Sequence, residues 1–129
     1  MILVDTSVVI DFTRGKDAKL QALLLALPVA VCGVVRAEVL HGSLSPGHRQ
    51  KLLTELAAFQ FLPTPDTVWD AVGDNLAALR SKGITAPFPD AVIATLGIEN
   101  DIEVWARDPH HFPKMQQVLS RLKLFQEPP

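Results

Sequence analysis

The sequence predicts an α/β fold, a three-layer sandwich with a mostly parallel central β-sheet flanked by helices. Two observations lead there. Four short apolar runs, Ile2–Val4, Val29–Cys32, Phe61–Leu62 and Ile102–Trp105, have strand length and stand well apart in the chain. The stretches between them carry apolar residues at helical spacing, and that alternation builds a parallel sheet covered on both faces. A length of 129 residues gives room for one ordinary core, so a single domain over residues 1–129 is expected.

Ile2-Leu3-Val4 reads as a buried strand that stops at Asp5-Thr6-Ser7. Thr6 or Ser7 would cap a helix from Val8 to Phe12, closed by Arg14-Gly15. Leu20, Leu23, Leu24 and Leu27 fall on one face of the next helix, which Pro28 ends. Val29–Cys32 is the second strand, broken by Gly33. Helical spacing returns from Val34 to Leu44, and Ser45-Pro46-Gly47 is a turn signal. His48 to Phe59 predicts a helix with Leu52, Leu53 and Leu56 on its apolar side, and Phe61-Leu62 a short strand.

Asp66 or Thr67 would cap a helix in which Val68, Val72, Leu76 and Leu79 recur every three or four residues, with Lys82-Gly83 as its stop. Pro87-Phe88-Pro89-Asp90 opens a helix to about Ile98, acidic at its start as the macrodipole prefers. Ile102–Trp105 is the last strong strand. Amphipathic turns around Met115 to Leu119, a short Leu122-Lys123-Leu124 segment and a frayed Pro128-Pro129 end complete the chain.

Composition narrows the function classes. Twelve Lys and Arg against fourteen Asp and Glu leave a formal charge of −2, and 48% of residues are hydrophobic. That is a globular composition, and its mild acidity argues against binding nucleic acid through bulk positive charge alone. No apolar run approaches the length of a membrane span, and the N-terminus lacks the pattern of a signal peptide. A single cysteine, Cys32, cannot form an internal disulfide; a reducing cytoplasmic setting is expected, with Cys32 as a small core side chain.

Ligands in open α/β sheets gather beyond the carboxyl ends of the strands. Asp5 stands at the end of the first strand, Asp108 three residues past Trp105, and Asp90 at the start of a helix. All three are candidates to converge on one sheet edge. Glu38 shares a helical stripe with Val34 and Val35, which directs it at least partly inward, and Gly42 one turn on would permit close backbone approach. Asp11 reads as a solvated helix-end charge. Two like charges at about 4 Å repel by roughly 4 kcal/mol at an effective dielectric near 20, so four converging acids need protonation, basic partners or a divalent cation. Oxygen-only ligands suit Mg²⁺ or Mn²⁺ far better than zinc, and such an ion would also hold phosphate.

With those residues in view, the sequence resembles the PIN-domain family, and within it the VapC-like toxins of bacterial toxin–antitoxin pairs. Met1-Ile-Leu-Val-Asp5-Thr6-Ser7 is similar to their opening, Glu38 with Gly42 to their helical Glu and Gly, Pro87-Phe88-Pro89-Asp90-Ala91-Val92-Ile93-Ala94 to their third motif, and Arg107-Asp108 with Phe112 to their fourth. The resemblance covers nearly the whole chain. It implies a Mg²⁺-dependent endoribonuclease, with Mn²⁺ able to substitute, held inactive by a cognate antitoxin. Its catalytic residues would be Asp5, Glu38, Asp90 and Asp108, with Asp5, Asp90 and Asp108 on the metal and Ser7 and Thr6 in support. One departure stands out: Ala106 occupies a position where many relatives carry Thr or Ser, so the metal contact of Asp108 is direct, through water or absent.

Arg14, Arg36 and Arg107 are the bases nearest these acids in sequence and are candidates to hold RNA phosphate. His110-His111 are either RNA contacts or a solvated helix start, and His41 and His48 lack the shared face that zinc needs. The Leu- and Ala-rich helices Leu20–Leu27 and His48–Phe59 predict a homodimer. Competing classes fit less well. A receiver domain needs a Lys after a later strand, a haloacid-type phosphatase needs a second Asp beyond Asp5, and no glycine-rich nucleotide loop exists. A catalytically weak or inactive PIN-fold binding module is the remaining alternative.

Overall fold

Ile2, Leu3 and Val4 are buried along their whole length, so the first strand has both faces covered from the outset. The computed structural model describes residues 1–129. Its strands are β1 (Ile2–Val4), β2 (Val29–Cys32), β3 (Gln60–Leu62) and β4 (Glu103–Trp105). The helices are α1 (Thr6–Arg14), α2 (Ala18–Ala26), α3 (Gly33–His41), α4 (Pro46–Leu56), α5 (Val68–Ser81), α6 (Phe88–Glu99) and α7 (His111–Val118). Every strand pair is parallel and the order is β3-β2-β1-β4. The expected α/β sandwich is therefore present, with an all-parallel sheet.

The order has a direct consequence for the site. From β1 the chain moves outward through β2 to β3, then returns to lay β4 against the other side of β1, with Leu3 opposite Val104 and Val4 opposite Trp105. The direction of travel reverses between β1 and β4, and a crevice forms beyond the carboxyl ends of strands at such a point. Asp5 directly follows β1, and Asp108 follows β4 by three residues.

Hydrophobic burial holds the layers together. Thirty buried residues form one core, with Trp105, Phe112, Leu3 and Leu20 among the largest enclosed side chains. In α6 every residue from Ala91 to Ile98 is buried, the mark of an interior helix, and it packs on α3, α5, α7 and β4. The outer edge of β4 is covered rather than open: Val104 N–H donates to Lys123 O and Phe125 N–H to Val104 O, each at 2.8 Å. The Leu122-Lys123-Leu124 segment is this cover, with the Phe125 ring 4.6 Å from that of Trp105. No helix is long and apolar enough to cross a membrane.

Several helix ends differ from the sequence expectation. Asp5 itself caps α1, in place of Thr6 or Ser7, because its extended backbone lets its carboxylate accept the Ser7 N–H at 3.2 Å. Gly15 closes that helix in the left-handed region at φ 68°. The Ser45-Pro46-Gly47 turn signal is the start of α4: Ser45 Oγ accepts the His48 N–H at 3.1 Å, and proline suits the first helical turn. Helix α3 stops at His41 instead of running on to Leu44.

Two glycines test the packing. A Cβ on Gly97 of α6 would lie 2.6 Å from Cγ2 of the fully buried Val104, whereas one on Gly73 of α5 meets nothing within 4 Å. Gly97→Ala should destabilise the chain by about 1–2 kcal/mol, since overpacking against a stiff β-branched neighbour outweighs the gain in helix propensity. Gly73→Ala should stabilise it by about 0.5–1 kcal/mol. Urea melts of the two variants check both signs.

Candidate active site

The site grows from the end of β1. The Asp5 N–H donates to Trp105 O at 2.8 Å, continuing the β1–β4 ladder by one residue and placing the Asp5 side chain at the crevice. Asp5 is only 5% exposed. Its Oδ2 also accepts the Ser7 hydroxyl at 2.7 Å, and that hydroxyl accepts the Arg107 N–H at 3.1 Å. Ser7 thus ties the start of α1 to the loop leaving β4, a supporting position for Asp5.

Asp90 reaches the same place from the first turn of α6, and Asp108 from the loop after β4. The Asp108 Oδ1 accepts the His110 N–H at 2.8 Å, a local turn that fixes the carboxylate. Between the two acids stands His111, the first residue of α7. Its Nδ1 is 2.8 Å from Asp90 Oδ2 and 2.7 Å from Asp108 Oδ2. Asp90, Asp108 and His111 each offer one ligand atom within 4.8 Å of the others, a group able to hold a metal ion. Asp5 lies outside this tightest group and acts on it through charge.

The electrostatics register that crowding. The Asp90 carboxyl is pushed up to about 6, first by burial and then by the charge of Asp5, with His111 opposing and Glu38 adding to the rise. Glu38 itself sits differently from expectation. It is exposed at the rim, not directed inward, because α3 turns Val35 and Val39 to the core. Thr6 Oγ1 donates to its Oε1 at 2.6 Å and joins α1 to α3 there. Gly42 permits no close approach; a Cβ there would meet only Val39 O at an ordinary 3.5 Å. Glu38 also borders a cleft of about 520 Å³ that includes Arg14, His48 and Lys51.

The three arginines part company. Arg14 is exposed in that cleft, 3.9 Å from Asp11, and Arg36 is half-buried on α3 two residues before Glu38. Arg107 is not a free phosphate contact. Its guanidinium holds Glu127 through two nitrogens at 2.7 and 3.0 Å, Asp17 at 2.9 Å and Asp11 at 3.1 Å. Asp11 is therefore an ion-pair partner and not the solvated charge expected from sequence. Chain separations of 90 and 96 residues for Arg107 with Asp17 and Asp11 left no local signal. The place of His111 between two acids has one sequence signal, its i, i+3 spacing from Asp108 at a helix start.

Two expectations follow from this arrangement. Arg107→Gln should lower stability by about 1–2 kcal/mol, because one two-nitrogen carboxylate pair and two partly screened single pairs are lost. Thermal melts at low and high salt check this, with a smaller deficit at high salt. Asp90 supplies the pH dependence. A folded pKa near 6 lies above the unfolded value of roughly 3.9, so the folded chain holds the proton longer. Metal-free stability should fall as pH rises through that window, by on the order of 2–3 kcal/mol in full, and Asp90→Asn should abolish the slope. Melting in EDTA between pH 4 and pH 7 measures it.

Comparisons with known proteins identify the family. The PIN domain model matches residues 2–117. The ribonuclease VapC10 of Mycobacterium tuberculosis is 28% identical over 121 residues, covering 92% of this chain and 90% of that protein. Among solved structures, VapBC2 from Rickettsia felis, bound to a DNA fragment from its promoter, aligns with a TM-score of 0.85 at 18% identity over 99% of this chain and 100% of that one. FitAcB from Neisseria gonorrhoeae gives 0.79 at 21% identity over 98% and 97%. VapC20 of Mycobacterium tuberculosis, a toxin that cleaves the sarcin-ricin loop, gives 0.67 at 16% over 85% and 92%. At such identities the structures speak for the fold, while the family model spans all four strands and every acid of the site: the chain belongs to the PIN domain family.

Proposed function

We propose that this chain is a divalent-metal-dependent endoribonuclease toxin of the VapC kind, working in the cytoplasm as a single domain over residues 1–129 and restrained by a small antitoxin. The observation that carries the reading is Asp90. Its carboxyl is pushed up to about 6 beside Asp5, with only an imidazole in contact to offset the charge. A site built this way favours an added cation. The donor set fits one: hard carboxylate oxygens suit Mg²⁺ or Mn²⁺, and Asp5, Asp90 and Asp108 would hold it. When bound, the ion supplies Lewis acidity toward the scissile phosphate.

The protein's own groups do the rest. Asp5, fixed by Ser7 and by its cap on α1, keeps the geometry rigid without a flexible loop. Glu38, held at the rim by Thr6, orients the attacking water and accepts its proton. Arg14 and Lys51, which line the cleft that Glu38 borders, are the cations this reading gives to RNA phosphate, since Arg107 is committed elsewhere; Arg36, two residues before Glu38 on α3, stands on a different face of that helix. An antitoxin segment lying over a groove would place a basic side chain near the acids and displace metal. A homodimer is supported by exposed apolar residues such as Leu25 at 84% and Leu44 at 89%, though α4 spends Leu52 and Leu56 on its own core. Light scattering and co-purification of a small partner test these two points.

Cleavage of single-stranded RNA by the purified chain should require Mg²⁺ or Mn²⁺ and stop in excess EDTA. Asp5→Asn and Asp90→Asn should each lower the rate by more than about 100-fold, the scale of losing one preorganised charge-stabilising group. A fluorogenic RNA assay reads this. Undiminished cleavage in EDTA, or by Asp90→Asn, would sink the proposal.

A further inference from the structure

His111 is the one basic side chain that touches the carboxylates of the site, and it touches two of them through a single atom. Its Nδ1 lies 2.8 Å from Asp90 Oδ2 and 2.7 Å from Asp108 Oδ2. One ring N–H can point well at one acceptor, not at two. A nitrogen nearly equidistant from two carboxylate oxygens is also the spacing of neighbouring ligands around a shared cation. With bonds of about 2.1–2.2 Å to a divalent ion, adjacent ligand atoms stand about 3 Å apart, so these contacts need to open by only a few tenths of an ångström.

The surroundings allow that adjustment and little more. Phe112 and Met115, at 1% and 0% exposure, lock α7 into the core, so the His111 backbone is fixed. The ring itself is 47% exposed and free to shift. Asp108 is held by the His110 N–H through Oδ1, which leaves Oδ2 toward the imidazole. The other face of the ring borders an open cleft of about 280 Å³ lined by Thr85, Pro87 and Lys114, so the imidazole is not packed in place from that side.

We propose that His111 Nδ1 is a ligand of the active-site metal beside Asp90 and Asp108, and that this mixed nitrogen and oxygen set makes the site prefer Mn²⁺ to Mg²⁺. The inference rests on the metal site of the nuclease reading and goes beyond it in naming a ligand and a selectivity. Imidazole is a good donor to first-row transition ions, whereas Mg²⁺ favours oxygen and keeps its waters. Coordination uses the Nδ1 lone pair, so the ring carries its proton on Nε2 when metal is present.

The test is Mn²⁺ pulsed electron paramagnetic resonance on the full chain, together with calorimetric titration of Mn²⁺ and Mg²⁺. Wild type should show ¹⁴N coupling to bound Mn²⁺, changed to ¹⁵N coupling when histidine is ¹⁵N-labelled. His111→Ala and His111→Gln should lose the coupling and weaken Mn²⁺ by about 10–100-fold, the range seen when a metal site loses a supporting partner, with a much smaller effect on Mg²⁺. His110→Ala should keep it. The glutamine variant guards against a fold defect in the alanine one, and labelled wild type reads out without any substitution. Mn²⁺ bound without nitrogen coupling, and abolished by Asp90→Asn, would overturn the ligand role and leave the metal reading standing. No Mn²⁺ bound by wild type would overturn both.

Discussion

A buried carboxylate at the end of β1 is the constraint on which the rest of the structure depends. Asp5 extends the β1–β4 ladder through its N–H, caps α1 through its side chain, and stands 5% exposed at the point where the strand order reverses. A cap is worth about 0.5–2 kcal/mol, which offsets part of the cost of removing that carboxylate from water. The same hydrogen bonds fix its position. Local folding chemistry therefore delivers a precisely placed acid as a by-product of ending a strand and starting a helix.

What Asp5 settles for the backbone it unsettles for charge. Asp90 enters the crevice from a helix start, where the macrodipole favours a carboxylate, yet burial and Asp5 together outweigh that preference and raise it to about 6. Glu38 adds a further charge from the rim. The fold tolerates this strain because α6 is interior on all sides, so the packing that carries Asp90 into the crevice is not negotiable at the cost of one ionisation.

The two basic groups around β4 divide the work. Arg107 faces away from the acids of the crevice and gathers Asp11, Asp17 and Glu127, binding α1, the start of α2 and the C-terminal tail to the loop after β4. Its charge is thereby stabilised and spent, and Glu127 and Asp17 are both held below the usual carboxylate range by hydrogen bonds, Glu127 chiefly by Arg107 and Asp17 chiefly by the Leu20 N–H. His111 faces the crevice. An imidazole there meets the acids through one nitrogen, without the several-pronged grip by which the Arg107 guanidinium ties up its partners.

The sequence by itself determined the elements and which acids stand at their ends. Strand-length apolar runs and helical spacing located all four strands, and Asp5, Asp90 and Asp108 were legible because each stands at an element end, a position that period and punctuation reveal. Glu38 was legible as a residue and misjudged in direction, because a helical stripe gives a face but not which neighbour covers it. Tertiary structure alone decided the rest. That Asp5 and Asp108 share a crevice follows from β4 pairing with β1, a contact between residues about a hundred apart. Arg107 turned to Asp11 and Asp17, and His111 to Asp90, because packing against β4 and α6 brought those groups within reach. Charge partners are chosen by distance in space, and distance in space is what a linear pattern of apolar residues does not contain.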